Sequence, residues 1–263
     1  MIMISNDDGP RSTGLKALIE ALKDVDYVTF SIPEGPRSGS SMSLTFHKPI
    51  RTKMISIAGV DGMIVSGSPA DAVMTAHILF DKKPDIVVTG INLGDNTGLQ
   101  DIHSSGTVAG AMQAALLNYP AIAFSKKISE EFSFMPSRRA GDFRPAARVA
   151  AAMTRYVMQH GLPQDVSLLN VNFPMEISDR TEIMVTEPSA IKYDNYLDKR
   201  KDPRGQEYYW LWGKRMKEYP EGTDAHALLD LNNISITPMT LRNQVRPGGL
   251  EGLVGEVRSS ISQ

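Results

Sequence analysis

Two carboxylates stand side by side in Asn6-Asp7-Asp8-Gly9, directly after the short apolar run Ile2-Met3-Ile4. Adjacent carboxylates repel unless a cation or a proton lies between them. Oxygen donors of this kind suit a hard divalent ion such as Mg²⁺ or Mn²⁺. Asn-Asp-Asp-Gly is also good turn chemistry, so a solvated turn is the alternative. A second segment, Gly90-Ile91-Asn92-Leu93-Gly94-Asp95-Asn96-Thr97-Gly98, offers backbone N–H groups and amide oxygens to a ligand, or forms a plain flexible loop. A third, Ser105-Gly106-Thr107, opens a helix. Hydroxyls and free N–H groups at a helix start bind anions, while simple capping needs only one of the hydroxyls. A fourth, Arg37-Ser38-Gly39-Ser40-Ser41, lies in a stretch rich in Gly, Ser and Pro at 33–43. Such loops often carry function, and the alternative is a polar loop without a role. No GxGxxG occurs, and no GxxxxGK followed by Ser or Thr, which argues against a dinucleotide or P-loop site.

The elements that must position these residues alternate. Residues 2–4 read as a buried strand, and Leu15, Leu18, Ile19 and Leu22 mark one face of a helix. Strands are expected at 28–32, 50–57 and 63–65, and Pro69 starts a helix to about Phe80. Residues 85–89 form a further buried strand, and a loop from Gly90 to about Ser104 follows. A helix opens near Ser105, a strand covers 121–124, and Val149, Met153, Tyr156 and Val157 mark a helix that ends at Gly161. Residues 166–171 close the series as a strand. This order implies an α/β fold with a doubly wound, mostly parallel sheet. All four chemical segments then follow strand ends, or open a helix at one, on the same edge of the sheet. Ligands of open α/β sheets bind at that edge. After Pro174 the texture changes to charges, Tyr and Trp, which reads as a β-rich extension, and residues 234–237 alternate like a strand returning to the core. The expected division is a core at 1–174 carrying the site and an extension at 175–263.

The chain has 263 residues, enough to bury a large core, and its 41% hydrophobic and 22% charged residues are ordinary for a globular protein. A formal charge of -2 gives no general pull toward a nucleic acid polymer or a membrane surface. With no cysteine, disulfides and thiolate metal sites are excluded, and any metal must be held by O or N ligands. No apolar run approaches the roughly 20 residues of a membrane helix, and the start of the chain lacks the pattern of a signal peptide. A cytoplasmic location is the expectation.

Together, the segments resemble the SurE family of nucleotidases. The family pattern begins with a strand ending in Ser/Thr-Asn-Asp-Asp-Gly, met here at Ser5 to Gly9, and continues with an Arg-Ser-Gly loop at Arg37 to Gly39. Gly67-Ser68-Pro69-Ala70-Asp71, Gly90 to Gly98 and Ser105 to Val108 follow in order. Asn170-Val171-Asn172-Phe173-Pro174, Asp202-Pro203-Arg204-Gly205, Thr223-Asp224-Ala225-His226-Ala227 and Ser235-Ile236-Thr237-Pro238 complete the match, which runs from residue 2 to about 238. Three departures stand out: a loop between Asn92 and Ser105 one residue longer, Gln113 in place of a frequent Glu, and Asp95 in place of a frequent Pro.

The resemblance implies a phosphomonoesterase that hydrolyses nucleoside 5′-monophosphates, with 3′-monophosphates as further substrates. It implies one divalent ion per subunit, Mg²⁺ or Mn²⁺, held by Asp7, Asp8, Ser38 and Asn92. Asp7 and Asp8 are the expected catalytic residues, and Asn96, Ser105, Gly106 and Thr107 the expected phosphate-binding ones. Direct attack by water and a phosphoenzyme on Asp7 both stay open. Other phosphomonoesters or polyphosphate as substrate, and a non-catalytic nucleotide-binding module, are the alternatives. The resemblance also implies a homodimer or homotetramer built through the C-terminal extension. Among the histidines, His77 and His160 read as structural, His103 precedes the Ser-Gly-Thr turn and can sit near the site, and His226 fixes the extension or serves the site. Tyr208, Tyr209 and Trp210 pack a hairpin or a subunit contact, or stack on a nucleobase.

Overall fold

A computed structural model of the protein describes residues 1–128 and 142–242, together with Val254 and Val257. Most of the stretch 243–263, counted with the extension above, lies outside the described residues.

Nine strands form one sheet. Five of them are β1 (Ile2–Ser5), β2 (Val28–Pro33), β3 (Thr52–Ile57), β4 (Val60–Val65) and β5 (Ile86–Leu93). The others are β6 (Ala121–Lys126), β7 (Leu168–Phe173), β8 (Ile183–Val185) and, from further along the chain, β11 (Ile234–Met239). Their spatial order is β3-β4-β2-β1-β5-β6-β7-β11-β8. The six from β4 to β7 are parallel; β3 pairs antiparallel with β4, and β11 pairs antiparallel with β7 and parallel with β8. The expected mostly parallel α/β sheet is present, with extra strands from the C-terminal region.

Side chains alternate across the sheet with the period of two that strands impose. Ile2, Ile4, Val88 and Phe124 face helix α1 (Thr13–Leu22) and helix α5 (Arg144–His160). Met3, Val87, Ala121 and Ala123 face helix α2 (Pro69–Leu79) and helix α4 (Gly106–Leu116). Leu15, Leu18, Ile19 and Leu22 are all buried, as their helical spacing requires. Ser68 and Asp71 close a capping box around Pro69, which explains the sharp start of α2.

Two expectations need correction. The stretch expected as a loop to about Ser104 contains helix α3 (Gly98–Ser104). It buries only Gly98 and Ile102, so its apolar periodicity was too short to register. Strand β5 runs through Gly90 to Leu93, with a register irregularity between Thr89 and Asn92. A Cβ at Gly90 would lie 2.1 Å from Phe124 O, at a φ of +115°, so the residue that reads as a breaker is what lets β5 pass β6.

From β1 the chain moves to β2 and β4, then returns to β5 on the opposite side of β1. The loops leaving β1 and β5 therefore diverge and open a crevice at the carboxyl ends of these strands. Beyond β8, β9 (Tyr193–Lys201) and β10 (Glu207–Arg215) pair only with each other among the described residues, as an antiparallel ribbon.

Candidate active site

The turn after β1 is closed by its own side chain. Asn6 Nδ2 donates to Gly9 O at 3.0 Å, and Gly9 N donates to Asn6 Oδ1 at 3.2 Å. Asn6 is thereby fully used in shaping the turn, and the next two residues are delivered to the crevice. Asp7 is buried, with 5% of its surface exposed. Its Oδ1 accepts a hydrogen bond from the Thr107 hydroxyl at the start of α4. The contact is tight: a Cβ on Gly106 would lie 2.8 Å from both Asp7 Cβ and Ser40 Oγ. Asp8 Oδ2 accepts from Leu93 N at 3.3 Å and from Ser12 Oγ at 3.4 Å. Ser12 also caps α1 through Leu15 N. The two carboxylates thus face the ends of three elements: β5, α1 and α4.

Burial raises the pKa of Asp7, and hydrogen bonds from Thr107 and from its own backbone oppose that. Burial also raises Asp8, with the Asp7 charge next, to about 7. In the described residues no cation appears among the groups acting on either one. A buried carboxylate beside a half-buried one, with neutral donors around them, is a poor fit to a solvated turn and a good fit to a bound cation.

Asn92 precedes Leu93, whose N–H reaches Asp8. Asn92 Nδ2 donates to Gly94 O at 2.8 Å, so its Oδ1 is the atom it offers to a ligand. The 37–41 loop is pinned by Arg37 N to Asp7 O at 2.7 Å and Ser41 N to Ser104 O at 2.9 Å. Within it Ser38 is exposed, whereas Ser40 Oγ is buried and has no hydrogen-bond partner among the described residues. Ser40 received no role from sequence. Its signal is structural, an orphaned hydroxyl next to Asp7 and Gly106. Among the described residues no three His, Cys, Asp or Glu side chains gather as a metal cluster. A cation here would be held by two carboxylates completed by neutral oxygen atoms, as the composition requires.

The expected phosphate-binding residues divide. Ser105 Oγ caps α4 by accepting from Val108 N at 3.1 Å, and Thr107 is engaged with Asp7. Asn96 is held from the sheet side: its N donates to Asn172 Oδ1 and its O accepts from Asn170 Nδ2, both at 2.8 Å, while its Nδ2 donates to Ser125 Oγ at 2.8 Å. Asn170 and Asn172, quoted above only as a motif, are what anchor this loop to β7. Gly106 remains at the helix start, packed against Asp7 and Ser40.

A shallow recess of about 500 Å³ lies between the 39–41 loop and α3, lined by Gly39, Ser41, Leu99, Gln100, His103 and Ser104. His103 lines this recess, and neither Asp7 nor Asp8 does. His77 bonds Tyr119 Oη at 2.8 Å, His160 stacks on Tyr156, and His226 Nδ1 meets Asp230 Oδ2 at 3.1 Å. The first two have the structural partners expected of them.

Residues 2–195 match the Survival protein SurE family. The chain belongs to the SurE family. It is 38% identical to a 5′-nucleotidase SurE of Thermofilum pendens, covering 100% of this chain and 99% of that protein. A 5′-nucleotidase SurE of Hyperthermus butylicus is also 38% identical, over 99% of this chain and 92% of that protein. The crystal structure of the SurE protein from Aquifex aeolicus superposes with a TM-score of 0.78 at 33% identity, covering 98% of this chain and 99% of that one. Among the described residues no helix is long and apolar enough to cross a membrane.

Proposed function

We propose that this SurE chain is a cytoplasmic, divalent-metal-dependent nucleotidase that hydrolyses nucleoside 5′-monophosphates, and 3′-monophosphates as well, to nucleoside and phosphate. The observation that carries the reading is the pair of Asp7, buried, and Asp8, half-buried, at the strand switch point, without a cationic side chain among the groups acting on it in the described residues. The names of the relatives point the same way.

Asp7, Asp8 and Asn92, with a hydroxyl of the 38–41 loop, would hold one Mg²⁺ or Mn²⁺, with Ser38 the hydroxyl implied by the resemblance. Bound there, the ion would supply charge neutralisation at a phosphoryl oxygen and a lowered pKa for a coordinated water. The protein's own part is positioning. Thr107 fixes the Asp7 carboxylate, and Leu93 N and Ser12 fix Asp8. The N-terminus of α4 at Gly106 faces the position of the phosphate with its positive dipole end. The recess beside it receives the nucleoside, with Leu99 and the His103 ring against the base. Ser40 Oγ is left to hydrogen-bond a phosphate oxygen or a water.

The deciding experiment is phosphate release from a panel of nucleoside 5′- and 3′-monophosphates with Mg²⁺, Mn²⁺ or EDTA. Metal-dependent release that EDTA stops is expected; no release from any nucleotide with any metal would overturn the reading. Asp7→Asn, nearly isosteric, is expected to lower kcat by at least about a hundredfold, the scale on which active-site charge stabilisation is lost, while circular dichroism stays that of the wild type.

A further inference from the structure

Lys192 lies 97 residues after Asp95 and is fully buried, with its side chain 0% exposed. Its ammonium donates to Asp95 Oδ1 and to Asp101 Oδ2 at once. Arg215 adds a contact to Asp95 Oδ2 at 3.5 Å, and Tyr193 Oη donates to Asp101 Oδ2 at 3.2 Å. Thr97 Oγ1 donates to Asp95 Oδ1 at 2.7 Å. All the cations of this cluster come from the root of the β9–β10 ribbon, and both carboxylates come from the segment that links β5 to α4.

That segment joins two parts of the site, the end of β5 and the start of α4. Asn92 stands three residues before Asp95. On the other side, Asp101 O accepts from Ser105 N at 2.8 Å, and Ser105 is the N-cap of α4, from which Thr107 reaches Asp7. The stretch between the two carboxylates has no slack. Gly98, at a φ of +76°, would place a Cβ 3.2 Å from Lys192 Cβ, and its N donates to Asp224 Oδ2 at 2.8 Å. The backbone of Lys192 is fixed in turn: its O accepts from Met216 N and from Tyr219 Oη, each at 3.2 Å.

Resting on the nucleotidase reading above, we propose that Lys192 is a positioning residue for the active site: by clamping Asp95 and Asp101 it sets the spacing of Asn92 and the α4 start around the Asp7-Asp8 pair. Well-packed apolar side chains often serve stability as well as a buried ion pair does. An ammonium that must satisfy the carboxylates of both Asp95 and Asp101 at once fixes their separation within that one segment, which apolar packing does not. The same clamp makes the ribbon root and the site one mechanical unit.

The double variant Lys192→Met/Asp101→Asn tests this. It removes one positive and one negative charge, so net charge near the site is unchanged, and Asp95 keeps Arg215. Its thermal midpoint is expected close to wild type. Its Mn²⁺ dissociation constant, read from the free-ion EPR signal, is expected to rise about tenfold, and kcat for a nucleoside 5′-monophosphate to fall about tenfold. Such effects are in the range of losses from groups that orient metal ligands. Mn²⁺ affinity and kcat within about twofold of wild type would overturn the role. Should the double variant not fold, Asp101→Asn alone carries the test: its amide oxygen still accepts from Lys192, and a smaller shift in the same direction is expected, with no shift overturning the proposal. Mn²⁺ binding is read without turnover. A wild type that binds Mn²⁺ and cleaves no nucleotide overturns the nucleotidase reading and leaves Lys192 to the binding comparison; one that binds no Mn²⁺ overturns both.

Discussion

Asp7 and Asp8 are neighbours in sequence, yet the fold treats them differently. Asp7 is tied to the start of α4 by Thr107, while Asp8 is reached only by two long hydrogen bonds and rises to about 7 through burial and the Asp7 charge. The consequence for stability has a definite sign. A carboxyl whose folded pKa lies above its unfolded value favours the folded state while protonated. In the metal-free protein that contribution is present below about pH 4 and is lost as pH rises to about 7. The melting temperature in EDTA is therefore expected to fall across this window relative to a variant carrying Asp8→Asn. Saturating Mg²⁺ or Mn²⁺ is expected to restore it, because the cation favours the charged pair. A pH profile identical in the two proteins would remove Asp8 as the source. At this scale the sequence named residues that the structure brings near one another: Thr107 meets Asp7, and Leu93, next to Asn92, meets Asp8. Ser40 was not distinguishable from Ser38 or Ser41, because only packing decides which hydroxyl of a Ser-rich loop turns inward.

The elements deliver these side chains through close approaches. Gly106 lets α4 press on Asp7, and this predicts a specific failure. Gly106→Ala puts a methyl group 2.8 Å from Asp7 Cβ and Ser40 Oγ. Alanine favours the helix by roughly 0.5–1 kcal/mol over glycine, so the fold is expected to survive while kcat/KM falls by a factor of about ten or more. Steady-state kinetics beside a thermal melt checks it; activity loss no greater than the loss of folded protein would mean Asp7 is not held by this contact. Other parts of the architecture were readable because local chemistry and global position agreed. Pro69 with Ser68 and Asp71 announced α2, and Leu15 to Leu22 announced α1. Helix α3 was not readable, since its one buried apolar side chain, Ile102, leaves no periodic signal. The Lys192 cluster was invisible for another reason: its members are brought together by the ribbon root docking on a distant loop, a pairing that no spacing encodes.

For the whole molecule, the order of strands matters most. Because β1 lies between β2 and β5, the first strand of the chain sits inside the sheet, next to its central strand β5, and its turn lies at the mouth of the crevice. The C-terminal part adds two strands to that sheet and sends out the ribbon, whose Tyr196, Leu197, Tyr209, Trp210 and Leu211 are exposed. We propose that these side chains cover one another between subunits. Light scattering is expected to give at least twice the 28.8 kDa of one chain, and Trp210→Lys with Leu211→Lys to return the mass to one chain. A dimer or tetramer unchanged by these substitutions would place the contact elsewhere.

The ribbon carries a hazard of its own. Nine residues per strand at about 3.3 Å each give an arm of about 30 Å. Each strand has only one neighbour among the described residues, so two edges of backbone N–H and C=O groups run alongside those aromatic side chains. An edge of this kind is a template for any other extended chain. Lys199, Arg200 and Lys201 on one strand and Lys214 on the other are the kind of charge that discourages such pairing. On the subunit pairing proposed above, a newly made subunit holds this surface open until a partner covers the arm, so the yield of soluble protein on refolding is expected to rise with chain concentration up to the point where edges pair at random.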